Sequence, residues 1–162
     1  IKNYLNVKVD KISYVSDDLL LLYKYALDMI KNNFAYMCFC QREEMQKFRH
    51  EGVECHCRIK SRESNVEEWN LALKGKYSEG ECVLRLRGDM KSLNHVMRDP
   101  VLFRVIKKKH FRLGKKYFFW PTYDFYSPIE EDICGVTHIL RSNEFDSRVE
   151  LQEFIKKIFS NK

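Results

Sequence analysis

Long apolar runs are missing from this chain. None approaches the roughly 20 residues that a membrane-crossing helix needs, so no such helix is expected. Also missing is a signal-peptide pattern of basic start, apolar core and small-residue cleavage site. No internal repeat or low-complexity linker interrupts the 162 residues, a length that suits one domain, or one domain and part of another. The first residue, Ile1, is not an initiator methionine, and the expectation is an excerpt from a longer protein.

What is present is a globular composition. Apolar residues make up 44% and charged residues 32%, a balance without the signature of disorder. The net charge of +6 is compatible with a polyanionic partner, although many basic proteins bind none. Six cysteines do not require disulfides, because their spacing suggests metal and a cytoplasmic chain is expected.

Local patterns predict the elements. Ser16-Asp17-Asp18 reads as an N-cap for a helix over Leu19 to Lys31, with Leu19, Leu20, Tyr23, Ala26, Leu27 and Ile30 on its buried face. Asn32-Asn33 can end it. Ala35 to Cys40 reads as extended, Glu43 to Arg49 as a helix stopped near Gly52, and Ser64 as the cap of a helix through Leu73. Cys82 to Arg87 alternates as a strand with one basic face, and Val101 to Ile106 and Lys116 to Trp120 are further strands. Tyr123 to Ile133 reads as a helix despite Pro128, Val136 to Leu140 as a strand, and Glu144 to Phe159 as the last helix. The last forty residues thus read helix, strand, helix, and Arg141 would stand at the carboxyl edge of a strand, where open α/β sheets bind ligands.

Two constellations carry chemistry. Cys38-Phe39-Cys40 and Cys55-His56-Cys57 are Cys-x-Cys pairs fourteen residues apart, and alternate residues of an extended segment can offer two thiolates to one ion. Four thiolates suit tetrahedral Zn²⁺, with His56 as an alternative ligand; the competing reading is four reduced cysteines without metal. Cys82 and Cys134 read as core residues. Arg85, Arg87, Lys107, Lys108, Lys109, His110, Arg112, Lys115 and Lys116 concentrate positive charge between residues 85 and 116, as a phosphate-binding surface or a solvated face.

Three ordered stretches resemble the glutamyl and glutaminyl class I tRNA synthetases, of the archaeal and eukaryotic glutamyl type. They are Tyr25 to Cys40, Met97-Arg98-Asp99-Pro100-Val101-Leu102-Phe103-Arg104, and Pro121-Thr122-Tyr123-Asp124-Phe125 through Phe145. The resemblance implies an α/β fold: part of a Rossmann-like class I catalytic fold interrupted by a mixed α+β acceptor-binding insertion. On that reading, residues 1–34 end the first half, residues 35–121 form the tRNA acceptor-stem insertion with its zinc site, and residues 122–162 start the second half. The family's His-Ile-Gly-His and Lys-Met-Ser-Lys-Ser motifs are not found here, so no catalytic residue is assigned and this segment by itself is expected to be inactive.

The resemblance also implies roles. Tyr123, Ser127 and Arg141 would border the substrate amino acid, with Glu144 near amino acid and nucleotide. Arg141 would bind a side-chain carboxylate through its planar fork, favouring glutamate over glutamine. Without the resemblance, Arg141 reads as a surface residue pairing with Glu144 or Asp146. Arg85, Arg87, Arg98, Lys107, Lys108 and Lys109 are candidate tRNA contacts. Partners implied for the parent enzyme are tRNA, glutamate and ATP with Mg²⁺, in a monomer. The alternatives are a glutaminyl enzyme, a non-catalytic zinc-bearing RNA-binding module and a tRNA-modifying relative. The excerpt reading further expects Leu19, Leu20, Tyr23 and Leu27 to leave an apolar face exposed or covered by another copy.

Overall fold

A computed structural model of the chain describes Tyr4 and residues 11–160. Its scaffold is a four-stranded antiparallel sheet in the order β1-β2-β3-β4, with β1 Ala35–Cys38, β2 Val83–Leu86, β3 Val101–Val105 and β4 Phe119–Pro121. The helices are α1 Leu19–Lys31, α2 Arg42–Glu51, α3 Arg62–Leu73, α4 Tyr123–Ile133 and α5 Asp146–Ser160. The fold is therefore mixed α/β. No helix among the described residues is long and apolar enough to cross a membrane.

At β1 and β2 the sheet buries both faces, and the two-residue period of these strands sorts side chains between two cores. Ala35 and Met37 of β1, with Leu84 and Leu86 of β2, enter the main core. Tyr36 and Cys38, with Val83, enter a second cluster built around the cysteines. The main core is aromatic: Trp69 meets Phe103 edge-on at 5.2 Å and Phe119 at 5.4 Å, and Phe103 lies 4.9 Å from Phe125. Leu22 from α1 and Leu151 and Ile155 from α5 close it.

β1 is an edge strand, so an outward N–H needs a partner off the sheet. Asn65 of α3 supplies it: its Oδ1 accepts from Met37 N at 2.7 Å, while its amide donates to Ser61 O at 2.7 Å and Lys60 O at 3.2 Å. Asn65 is buried, and it locks α3 to the sheet without leaving a polar group unpaired.

Several expectations need correction. Ser16 does not cap α1; its hydroxyl accepts from Arg112, and the helix starts after Asp18 with no side-chain cap. The buried face of α1 is rotated to Leu19, Leu22, Ala26, Met29 and Ile30, leaving Leu20 exposed and Tyr23 half-buried. The cap of α3 is Ser61, whose hydroxyl accepts from Ser64 N. Residues 136–140 form no strand: no strand among the described residues pairs with them, and Leu140 is fully exposed. Cys134 is exposed as well, whereas Cys82 is buried as expected.

The Met97-Arg98-Asp99-Pro100 segment fastens the sheet to its surroundings. Arg98 donates to Arg49 O and His50 O, satisfying the last carbonyls of α2, and to Ser92 O. Asp99 is buried with φ of 45°, and its carboxylate accepts from Tyr36 Oη at 2.7 Å, Arg58 at 2.8 Å and Gly88 N at 2.7 Å. An asparagine tolerates this backbone but turns an amide towards one of those donors. Asp99→Asn should therefore lower unfolding free energy by about 3 kcal/mol in urea titrations; a loss below about 1 kcal/mol would show that Asp99 is not a keystone.

Candidate amino-acid and metal sites

The first site grows out of β1. Cys38 ends the strand, Cys40 follows it, and Cys55 and Cys57 stand where the chain tightens into a short 3-10 turn, His56–Ile59. All four are buried, and their sulfurs lie within 4.8 Å of one another, with Cys38–Cys55 and Cys40–Cys57 each at 3.9 Å. Sulfurs bound at about 2.3 Å around a tetrahedral ion stand roughly 3.8 Å apart. The four cysteines thus fit a structural zinc in both chemistry and spacing. His56 is exposed and is no part of the cluster, which sets aside the alternative ligand.

The surroundings suit such an ion. Arg85 Nη1 donates to Cys38 Sγ at 3.7 Å and to Cys55 Sγ at 3.6 Å, and Phe39 N donates to Cys57 Sγ at 3.4 Å. These donors hold thiolate charge and orient the sulfurs. Hydrogen bonds from the Cys38 and Cys57 thiols, aided by Arg85, keep Cys55 below the ordinary thiol value. The bond to Cys55 raises Cys38, and burial pushes Cys40 up to about 12.

Arg85 corrects an expectation. The alternation of β2 is as read, but its second face is covered by the cysteine cluster, so Arg85 is 1% exposed and cannot reach an RNA phosphate. Arg87 is half-buried over the Tyr36 ring at 5.2 Å, and the hydrogen bonds of Arg98 go to backbone carbonyls of the protein itself. Lys107, Lys108 and Lys109 are exposed beside the hairpin closed by His110 and Gly114.

The second site lies between α4 and α5. Tyr123 and Ser127 stand one helical turn apart, and the loop after α4 brings Arg141 back to both. Arg141 donates to Ser127 Oγ at 3.0 Å, and its guanidinium lies 5.6 Å from the centre of the Tyr123 ring. Arg141 pairs with neither Glu144 nor Asp146: its other acceptors are Glu131 and Gln152, with Lys156 on the far oxygen of Glu131 at 3.0 Å. Sequence reasoning missed these two. Glu131 could have been found one turn beyond Ser127 on the same helix face, but nothing local points from Arg141 to a residue eleven positions on.

Of the predicted residues, Arg141, Tyr123 and Glu144 border two clefts, and Ser127 lines neither. Arg141, Glu131, Gln152 and Lys156 line a pocket of about 300 Å³. Tyr123 and Glu144 line a neighbouring cleft with Arg104, Asp124 and Arg148; Phe145 borders both. Glu144 itself is exposed and accepts from the Ser142 hydroxyl at 3.0 Å.

A model of the family described as tRNA synthetases class I (E and Q), catalytic domain, matches residues 2–162. The chain belongs to this family. Relatives include the glutamate–tRNA ligases of Cenarchaeum symbiosum, 42% identical over 92% of this chain, and of Archaeoglobus fulgidus, 41% identical over 96%. That of Pyrococcus furiosus is 40% identical over 96% of the chain. The chain spans 26%, 28% and 27% of the lengths of these three family members.

Purified under reducing conditions with zinc present, the chain should carry one zinc per molecule by elemental analysis. Cys55→Ser should remove it and lower the melting temperature. Because zinc must displace protons from thiols held high, at Cys38 and Cys40, its apparent affinity should fall as pH falls, by about tenfold or more between pH 8 and pH 6. A folded chain free of metal at both values would remove the zinc reading.

Proposed function

We propose that this chain is the segment of a glutamate–tRNA ligase that holds the tRNA acceptor-binding insertion and part of the glutamate pocket. The complete enzyme activates glutamate with ATP and Mg²⁺ in the cytoplasm and then transfers it to the 3′ end of tRNA. On this reading residues 35–121 are the insertion, flanked by parts of the two halves of a Rossmann-like fold. The observation that carries the proposal is the convergence of Arg141 on Ser127 and Tyr123 in a chain about 40% identical to proteins named glutamate–tRNA ligase.

The chemistry supports glutamate over glutamine. A half-buried guanidinium offers charge-assisted hydrogen bonds to a carboxylate, and an amide in its place leaves positive charge unpaired. The segment's remaining contribution is positioning: a sheet covered on one face by the cysteine cluster would hold the acceptor end towards the amino acid. ATP chemistry belongs to parts of the enzyme outside this segment.

For tRNA, the exposed triad Lys107, Lys108 and Lys109 is the contact surface, and Arg85 is not. Replacing the three lysines by alanine should weaken tRNA binding in fluorescence anisotropy and reduce the slope of log K against log salt by about 2 to 3. Unchanged affinity and slope would exclude this face as the phosphate contact.

A further inference from the structure

Gln152 sits on the second turn of α5, is 4% exposed, and lines the 300 Å³ pocket beside Arg141. Its orientation is fixed by its neighbour. A guanidinium has only donors, so the atom of Gln152 that meets Arg141 must be the amide oxygen. The amide nitrogen is thereby left facing elsewhere, buried and with no hydrogen-bond partner. A buried NH₂ without an acceptor is costly and points to an absent acceptor.

The groups around it define that acceptor. Arg141 and Lys156 bring two positive charges and Glu131 one negative, so these three partly buried side chains carry a net charge of +1. Asp146 and Glu153 also border the pocket, but both are exposed at its rim, where water screens them. What completes the site is a small group with acceptor oxygens and one negative charge: a carboxylate.

We propose that Gln152 is a further substrate-binding and specificity-determining residue, whose amide N–H groups hold the side-chain carboxylate of the substrate amino acid together with Arg141. The inference rests on the glutamate-pocket reading above and names the second half of its recognition site. Arg141 supplies the charge. Gln152 supplies neutral donors at an angle the planar guanidinium cannot reach, because part of that guanidinium is held by Ser127 and Glu131. A substrate amide has only one acceptor oxygen to offer these two donors, so its NH₂ must face either Gln152 or Arg141, and the pair discriminates against glutamine by donor–donor conflict as well as by unpaired charge.

The test is a titration of the isotopically labelled 162-residue chain with L-glutamate and, separately, L-glutamine, followed through the side-chain NH₂ resonances of Gln152. Glutamate should move these resonances and glutamine at equal concentration should not. Gln152→Met, which keeps the volume but has no donor, should weaken glutamate binding at least tenfold and narrow the preference over glutamine, while Arg141→Ala should abolish binding. Backbone spectra confirm that each variant is folded, and the wild-type NH₂ shift needs no variant. Glutamate binding that needs Arg141 but leaves the Gln152 amide unmoved, and is unchanged in Gln152→Met, overturns this inference and leaves the glutamate pocket standing. Binding that ignores Arg141, or no binding by the wild-type chain, overturns both.

Discussion

Asp99 places one carboxylate where four parts of the chain meet. The Tyr36 phenol reaches it from β1, Arg58 from the 3-10 turn after the cysteines, the Gly88 amide from the loop after β2, and its own carbonyl accepts Arg85 Nε at 2.8 Å. Its positive φ turns the chain so that carboxylate and carbonyl both face inward. Gly88 is built for this approach: a Cβ there would stand 1.9 Å from Met97 O. The strands can pair without Asp99, but it fixes how the cysteine module sits on them.

That constraint links the cysteine cluster to the Met97-to-Pro100 segment through Arg85. Its Nε is held by Asp99 O, which leaves Nη1 to meet Cys38 and Cys55. A buried arginine needs its charge matched, and here the sulfurs do the matching, although Nη2 has no hydrogen-bond partner among the described residues. The cysteine cluster and the Met97-to-Pro100 segment are therefore halves of one structure, and the lysine-rich hairpin hangs from the strand that this segment begins.

Most elements were legible from periodicity and punctuation. Tyr123 to Ile133 is helical over the expected residues, Gly52 stops α2 in the left-handed region, and the cysteine spacing anticipated a four-sulfur cluster. The failures share a cause. Ser16 was read as a cap because its local chemistry suits one, yet Arg112, 96 residues away, takes its hydroxyl. Val136 to Leu140 has strand-like residues, but strand formation needs a neighbouring backbone, and none of the described strands lies beside it. The basic face of β2 was read as open to RNA or solvent because alternation reports that two faces exist, not what covers each.

The sequence by itself determined the family resemblance, the turn and helix boundaries set by local backbone preferences, and the types of residue able to bind metal and carboxylate. Only the tertiary structure decided which partners those residues meet. Arg85 became a support for sulfur rather than a phosphate contact, and Arg141 met Glu131 and Gln152 rather than its neighbours Glu144 and Asp146. The physical reason is range. Backbone preference acts over a few residues, whereas the desolvation that makes a buried charge or amide demand a partner is settled by whatever the fold brings within hydrogen-bond distance.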